Sequence, residues 1–297
     1  MLETEVAEML INEVCKITGL TRKAIEYYIE KGLISPSFLE NGYRNFSDDE
    51  VERLKKISVL RKLGVSADDI KAVLSDKSGR ELQTLAVKKE LDIQREQAKK
   101  SILEKLAGGK SYSEISTELQ AVEGSKTITE KLLDAFPGYY GRFICLHFAR
   151  FLNEPVRTRS QQSAYDRIIS FLDSVPPLNL PEDLQAWMME TTEETGTEQI
   201  AESLEHTRKS IEDPGEFISN NREMLEQYIA FRQSDEYKNS PAYRLMAYIK
   251  EFNQASGYYD VFIPAMKELS PSYAEYYEQL EKANERLFAE YPDIEKL

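Results

Sequence analysis

The sequence predicts a mainly α-helical protein carrying one small β-hairpin near its N-terminus. Three observations lead there. Apolar residues recur at helical spacing along most of the 297 residues. Capping residues followed by proline, at Asp213-Pro214, Ser240-Pro241 and Ser270-Pro271, mark helix starts. An Asn41-Gly42 pair between short apolar runs marks a hairpin, and the alternating β-branched runs that a larger sheet needs are missing.

In chain order, residues 11–17 read as a short helix with Ile11, Val14 and Ile17 on one face and Cys15 beside them. Gly19 supplies the positive φ of a sharp turn. Thr21 then caps a second helix whose first turn exposes Arg22 and Lys23, while Ala24, Ile25, Tyr28 and Ile29 pack it on the first. Helix, tight turn and helix, with cations at the start of the second, is how a helix-turn-helix presents a reading helix to the DNA major groove. The hairpin at Asn41-Gly42 follows as a wing, with a type I′ turn expected and Arg44 just beyond it. Ser47 and Glu50 form a capping box that opens a helix with Val51, Leu54, Ile57, Leu60 and Leu63 on its apolar side. Gly64 ends that helix, and Ser66 opens a shorter one with Ile70, Val73 and Leu74 buried. Together these elements predict a winged helix-turn-helix.

The motifs from Gly19-Leu20-Thr21 through Tyr27-Tyr28, Lys31-Gly32-Leu33-Ile34 and Asn41-Gly42-Tyr43-Arg44 to Leu60-Arg61-Lys62-Leu63-Gly64 occur in one characteristic order. This stretch, about a quarter of the chain, resembles the MerR family of transcription regulators. Glu26 stands where that family usually carries Arg, and Ile29 where it usually carries an acid. The DNA-facing candidates are Thr21, Arg22, Lys23, Tyr27, Tyr28, Tyr43, Arg44, Lys56, Arg61 and Lys62. Lys55 belongs with the cations that would meet phosphates.

Charge is uneven along the chain. Residues 1–75 carry 11 Lys and Arg against 13 Asp and Glu, and residues 111–297 carry 18 against 33, a net of −15. A DNA-binding module that is not net basic must concentrate its cations locally, and the acidic part is expected to point away from the duplex. No apolar stretch approaches the ~20 residues that cross a bilayer. Residues 1–10 lack the basic start of a signal peptide. Two cysteines, Cys15 and Cys145, fall in separate predicted domains, which suits a reducing cytoplasm better than a disulfide framework.

Residues 78–106 read as one long helix with a broken heptad, which leaves a solvated connector and a coiled coil both open. Gly108-Gly109 ends it, giving predicted domains at 1–76, 77–108 and 109–297. The resemblance implies that the middle segment pairs with its twin, so that a homodimer sits on double-stranded promoter DNA with an over-long spacer. It reaches RNA polymerase only through that promoter. The resemblance also implies an effector-responsive C-terminal domain.

Beyond residue 110 the sequence predicts helices only, near 125–136, 139–152, 157–175, 182–191, 198–211, 215–234, 241–255, 258–269 and 271–291. Pro264 should kink or split one of them. Neither histidine, His147 or His206, has a partner at metal spacing, and Cys145 and His147 are two apart on a helix and face apart. Carboxylate pairs such as Glu193-Glu194 are expected by chance in so acidic a chain, and no glycine-rich phosphate loop or nucleophile elbow occurs. The sequence therefore implies no cofactor, no metal and no enzyme.

Aromatic residues are the better lead. Tyr139, Tyr140, Phe143, Phe148 and Phe151 form one cluster, Tyr258, Tyr259, Phe262, Tyr273, Tyr276 and Tyr277 another, and Trp187 is the single tryptophan. They read either as a tyrosine-rich core or as the wall of a cavity. If the clusters meet around a cavity, Tyr139, Tyr140, Phe143, Trp187, Tyr258, Tyr259 and Tyr276 would line it, with Asp134, Asp260 or Glu275 at its mouth. That chemistry suits a small, lipophilic organic cation. The alternative is that the helical domain is a protein-interaction or enzyme-like module.

Overall fold

The computed structural model of the protein describes residues 9–76, 79–136, 138–192, 195–292 and 294. The expected helix start at Ser78 and the pair Glu193-Glu194 lie outside the described residues, as does most of the N-terminal segment. The chain divides into two units, Met1–Leu85 and Ala86–Leu297.

In the first unit, α1 (Ile11–Thr18) ends at Gly19 with φ +68°, a conformation that costs other residues a steric clash. The Thr21 hydroxyl accepts the Ala24 N–H at 3.2 Å and starts α2 (Arg22–Glu30). The wing follows as β1 (Ser37–Phe38) and β2 (Arg44–Asn45), antiparallel, with Ser37 opposite Asn45 and Phe38 opposite Arg44. Then come α3 (Asp48–Lys62), opened by the expected Ser47–Glu50 capping box, and α4 (Ala67–Ser75), capped by Ser66. Val14, Ile25, Tyr28, Leu33, Phe46, Leu54, Ile57 and Ile70 fill one core from all four helices and the wing. Each large apolar side chain so buried contributes about 1.5–3 kcal/mol relative to exposure.

The wing turn differs from the sequence expectation. A type I′ turn needs positive φ at both Asn41 and Gly42, yet only Gly42 (+80°) has it. Instead the Gly42 N–H donates to the Leu39 carbonyl at 2.9 Å, and the Leu39 N–H donates to the Tyr43 carbonyl at 2.8 Å. This closes a three-residue loop with Gly42 as the left-handed residue. The Asn41 side chain accepts the Tyr43 N–H at 3.0 Å and satisfies the backbone beyond the turn, so Asn41 need not enter the left-handed region.

Helix α5 (Arg80–Ala107) begins in the first unit and ends in the second. Its buried face carries Val87, Leu91 and Ile102, while Leu82, Ile93 and Leu103 remain 49%, 46% and 64% exposed. The second unit continues with α6 (Tyr112–Ala135), α7 (Gly138–Ala149), α8 (Arg159–Ser174), α9 (Glu182–Thr192) and α10 (Thr197–Glu212). There follow α11 (Pro214–Asn220), α12 (Arg222–Gln233), α13 (Asp235–Lys238), α14 (Pro241–Ser256), α15 (Ile263–Leu269) and α16 (Pro271–Glu290). Asp213, Ser240 and Ser270 cap their helices through side-chain oxygens, as expected. The core is built from α6, α7, α8, α15 and α16 around Phe136, Phe148, Phe262, Leu132 and Ile168.

Three boundaries depart from the sequence reading. Helix α6 starts at Tyr112, well before the expected 125, because Ser111 and Glu114 form a capping box and Gly124 sits inside the helix. The expected helix 215–234 breaks at Asn221, whose backbone is not helical (φ −119°, ψ 20°) and whose amide donates to the Phe217 carbonyl at 2.8 Å. Ahead of Pro264, residues Tyr258–Phe262 form a π-helical turn, and α15 starts beside the proline, so the missing N–H falls in a first turn where no partner is needed.

Candidate nucleic-acid interface

On α2 the first turn is exposed at Thr21, Arg22 and Lys23. The Arg22 Nε donates to Glu26 Oε1 at 3.1 Å along the same helix face, with side chains 68% and 41% exposed. One turn on, Tyr27 stands out from the surface with the Lys31 ammonium 5.9 Å from its ring centre. Tyr28 takes the packing place that its helical spacing predicts and is withdrawn as a DNA-facing residue. Its ring is buried in the core against Tyr27 at 5.7 Å, because position 28 falls on the inward stripe with Ile25.

The wing presents Tyr43 and Phe38, both exposed, on either side of its loop. The Arg44 guanidinium lies 6.0 Å from the Phe38 ring centre, so cation–π attraction holds it along the outer strand. The wing is anchored from behind. Asn45 Oδ1 accepts the Met9 N–H at 2.8 Å, and the Phe46 N–H donates to the Met9 carbonyl at 3.0 Å. Sequence reading missed Asn45, since nothing local marks a bond to a residue 36 positions away.

Along α3, Lys56 and Lys62 are exposed, and Lys55 pairs with Glu52 at 2.6 Å. Arg61 has a local task, donating through Nη1 to the Val65 carbonyl at 2.7 Å where α3 ends. Arg53, which the sequence reading passed over, donates to the Leu33 carbonyl at 2.6 Å and ties the segment after α2 to α3. The first unit therefore sets Arg22 and Lys23 on a capped helix, Arg44 on a braced wing, and Lys56 and Lys62 on α3.

The aromatic clusters of the second unit do meet, but not around a cavity. Phe148 lies 5.0 Å from Phe262 and 5.4 Å from Tyr273, and Phe151 lies 5.2 Å from both Tyr273 and Tyr276. Ring centres this close leave no room for a ligand between them, so the junction is packed core. Tyr258 stacks on Phe262 at 5.4 Å, and Tyr276 packs against His147 at 5.5 Å. Tyr140 accepts a hydrogen bond from the Asn253 amide at 3.2 Å. Tyr139, Phe143 and Trp187 are half-buried against the outside of this core, and Tyr259 is largely exposed. Asp134, Asp260 and Glu275 are solvent-exposed. A cavity of about 440 Å³ opens elsewhere in this unit, and none of the seven expected residues lines it.

Burial sets the titration of the core. It lowers the His147 pKa to about 3, with the Arg150 charge adding to the effect, and it pushes the Cys145 thiol up to about 12. The two face apart, the Cys145 thiol donating to the Thr129 carbonyl and His147 Nδ1 lying 3.3 Å from Arg150 Nη2. Among the described residues, no group of three His, Cys, Asp or Glu side chains is placed to hold a metal ion, and no helix is long and apolar enough to cross a membrane.

The sequence pattern of the MerR HTH family regulatory protein matches residues 9–77. The HTH-type transcriptional regulator CueR of Vibrio cholerae is 43% identical over 68 residues, covering 23% of this chain and 49% of its own length. The protein of the same name in Escherichia coli is 42% identical over 62 residues, 20% of this chain and 46% of its own. The heavy metal-dependent transcription regulator 2 of Rhizobium meliloti is 40% identical over 68 residues, 23% of this chain and 46% of its own. The chain thus spans about half the length of the curated relatives it matches. No solved structure matches the chain. The capped reading helix, the braced wing and the agreement with these relatives identify residues 9–77 as a helix-turn-helix domain of the MerR family.

Proposed function

We propose that the protein is a sequence-specific transcription regulator of MerR type, acting as a cytoplasmic homodimer on promoter DNA and answering to an effector held by its helical second unit. The observation that carries the reading is the first unit's set of cations, Arg22 and Lys23 exposed on a capped helix and Arg44 half-buried on a wing, within residues of MerR type. The dimer is supported by α5. Leu82, Ile93 and Leu103 are exposed on the helix face opposite Val87, Leu91 and Ile102, spaced among Lys89, Glu96 and Lys100, a mixed face on which a twin helix would cover the apolar side chains. On an over-long promoter spacer, a change in DNA distortion on effector binding would bring the two promoter elements within reach of RNA polymerase. Sedimentation of the purified chain tests the dimer. A mass of twice 34.2 kDa is expected, falling to one copy in Ile93→Glu with the helical signal unchanged. A wild-type monomer on operator DNA would contradict the reading.

One feature favours a second reading, in which the helical unit binds a protein. Met224, Tyr228 and Phe231 recur at i, i+4 and i+7 on α12 and are all about half exposed. If Tyr228→Glu abolishes regulation in cells while DNA and ligand binding stay intact in vitro, this second reading takes the place of the effector.

A further inference from the structure

The 440 Å³ cavity of the second unit falls within the ~300–1,000 Å³ range of small-molecule sites. Helix α6 forms one wall from Gln120 to Ile128, and Ile128, Phe151 and Leu269 supply apolar surface. Its acidic residues are Glu123 on α6 and Glu154 in the link between α7 and α8, and neither lysine nor arginine lines it. We propose that this cavity binds a small organic cation with an apolar body, its ammonium group between Glu123 and Glu154 and its body against Ile128, Phe151 and Leu269. As the place where the effector acts, the site rests on the regulator reading above.

Gly124 sets the position of one wall of the cavity. In the middle of a 24-residue helix a glycine is less favourable than alanine, so the position would not favour it on helical grounds. A Cβ there would come within 3.1 Å of the Tyr165 ring, which also lines the cavity. The glycine lets that ring lie against the α6 backbone, and a larger residue would drive it aside.

The charge of the site selects its ligand. Glu154 Oε1 accepts from the Ser270 hydroxyl and the Ser272 N–H, both at 3.2 Å, which fixes the carboxylate at the start of α16. Its Oε2 has no protein donor among the described residues and is free for a ligand. An ammonium group offers three donors to two carboxylates. An anion would face both of them with no cation in the wall.

The cavity also adjoins a route to α5. The α6 turns before it pack Ile115 and Val122 on Ile102, Ala98 and Leu106 of α5, and Glu118 pairs with Lys105 at 2.7 Å and Lys110 at 3.1 Å. A ligand held by Glu123 on α6 and Glu154 before α8 therefore favours one placement of α6, and with it of α5. Such a ligand shifts the regulator only through different affinity for its two states.

Titration calorimetry of the full chain with tryptamine, and with its anionic counterpart 3-(indol-3-yl)propanoate, tests the site. Tryptamine is expected to bind at least tenfold tighter than the propanoate. Glu123→Gln and Glu154→Gln are each expected to weaken it about tenfold while the melting temperature holds, and Gly124→Leu to weaken it by driving the Tyr165 ring from its place in the wall. Equal affinity for the two probes, tryptamine binding unchanged in both glutamine variants, or no tryptamine binding at millimolar concentration would each overturn the site. Operator affinity measured with and without tryptamine separates the two claims. Tryptamine binding that leaves the DNA complex unchanged supports the site and removes its effector role. Failure of tryptamine binding with operator binding intact removes the site alone.

Discussion

Replacing Arg22 with alanine probes the reading helix at its most exposed cation. In the free protein the guanidinium is held by Glu26 at 3.1 Å, but the pair is 68% and 41% exposed. An exposed i,i+4 pair contributes about 0.3–0.5 kcal/mol. A bidentate contact from arginine to a guanine is worth about 1–3 kcal/mol, so the DNA contact wins and Glu26 is released. The net loss on Arg22→Ala is then about 0.5–2.5 kcal/mol of specific binding, roughly 2- to 70-fold in Kd. Stability should hold, because a cation in the first turn opposes the helix dipole and its removal does not weaken α2. Glu26→Gln should tighten binding to any DNA, since it removes a negative charge and frees Arg22, and in that background Arg22→Ala should cost more. Fluorescence anisotropy with operator and scrambled duplexes, each at two salt concentrations, reads the wild type and the three variants. If operator and scrambled affinities fall by the same factor, Arg22 is a phosphate anchor and not a reader. If neither falls, the docking of α2 in the groove is wrong.

Other variants test the wing and the helical core. Gly42→Val forces a β-branched residue to φ +80° at a strain of about 1–3 kcal/mol, so operator affinity should drop while the salt slope is kept; unchanged affinity would detach the wing from the interface. Arg44→Ala should flatten the slope of log Kd against log salt by about one unit, and an unaltered slope would deny it a phosphate. His147 stays neutral down to about pH 3 in the folded unit, whereas the unfolded chain takes up a proton below about 6.5. Its contribution is therefore complete above pH 6.5 and is lost as pH falls from there toward 3. Urea titrations followed by Trp187 should show His147→Phe losing about 1 kcal/mol less than wild type between pH 7.5 and 5.5, and identical losses would refute the burial argument. A thiol reagent at neutral pH should label the half-buried Cys15 and spare Cys145 until the chain is denatured.

The first unit was legible because its signals are local. The Thr21, Ser47 and Ser66 caps, the turn at Gly19 and the hairpin at Asn41-Gly42 each act within a few residues, and each appears where the sequence places it. What was not legible depends on partners far along the chain. Gly124 carries no local signal, because what it allows is a close approach to Tyr165, 41 residues away. The aromatic clusters were visible as clusters, while whether they enclosed space or filled it depended on ring distances that no spacing encodes. The cavity itself draws on α6, α8, α15 and the link between α7 and α8, and its mixture of Glu, Gly and Ile has no motif.

The central claim is that the first unit reads a specific DNA sequence as one half of a dimer. Selection of bound duplexes from random DNA by the purified full chain tests it most directly. The expected result is a pseudo-palindrome with one fixed spacing between half-sites, lost on Arg22→Ala and reduced to single half-sites in Ile93→Glu. Enrichment of no sequence, or of one unpaired half-site by the wild-type chain, would contradict it.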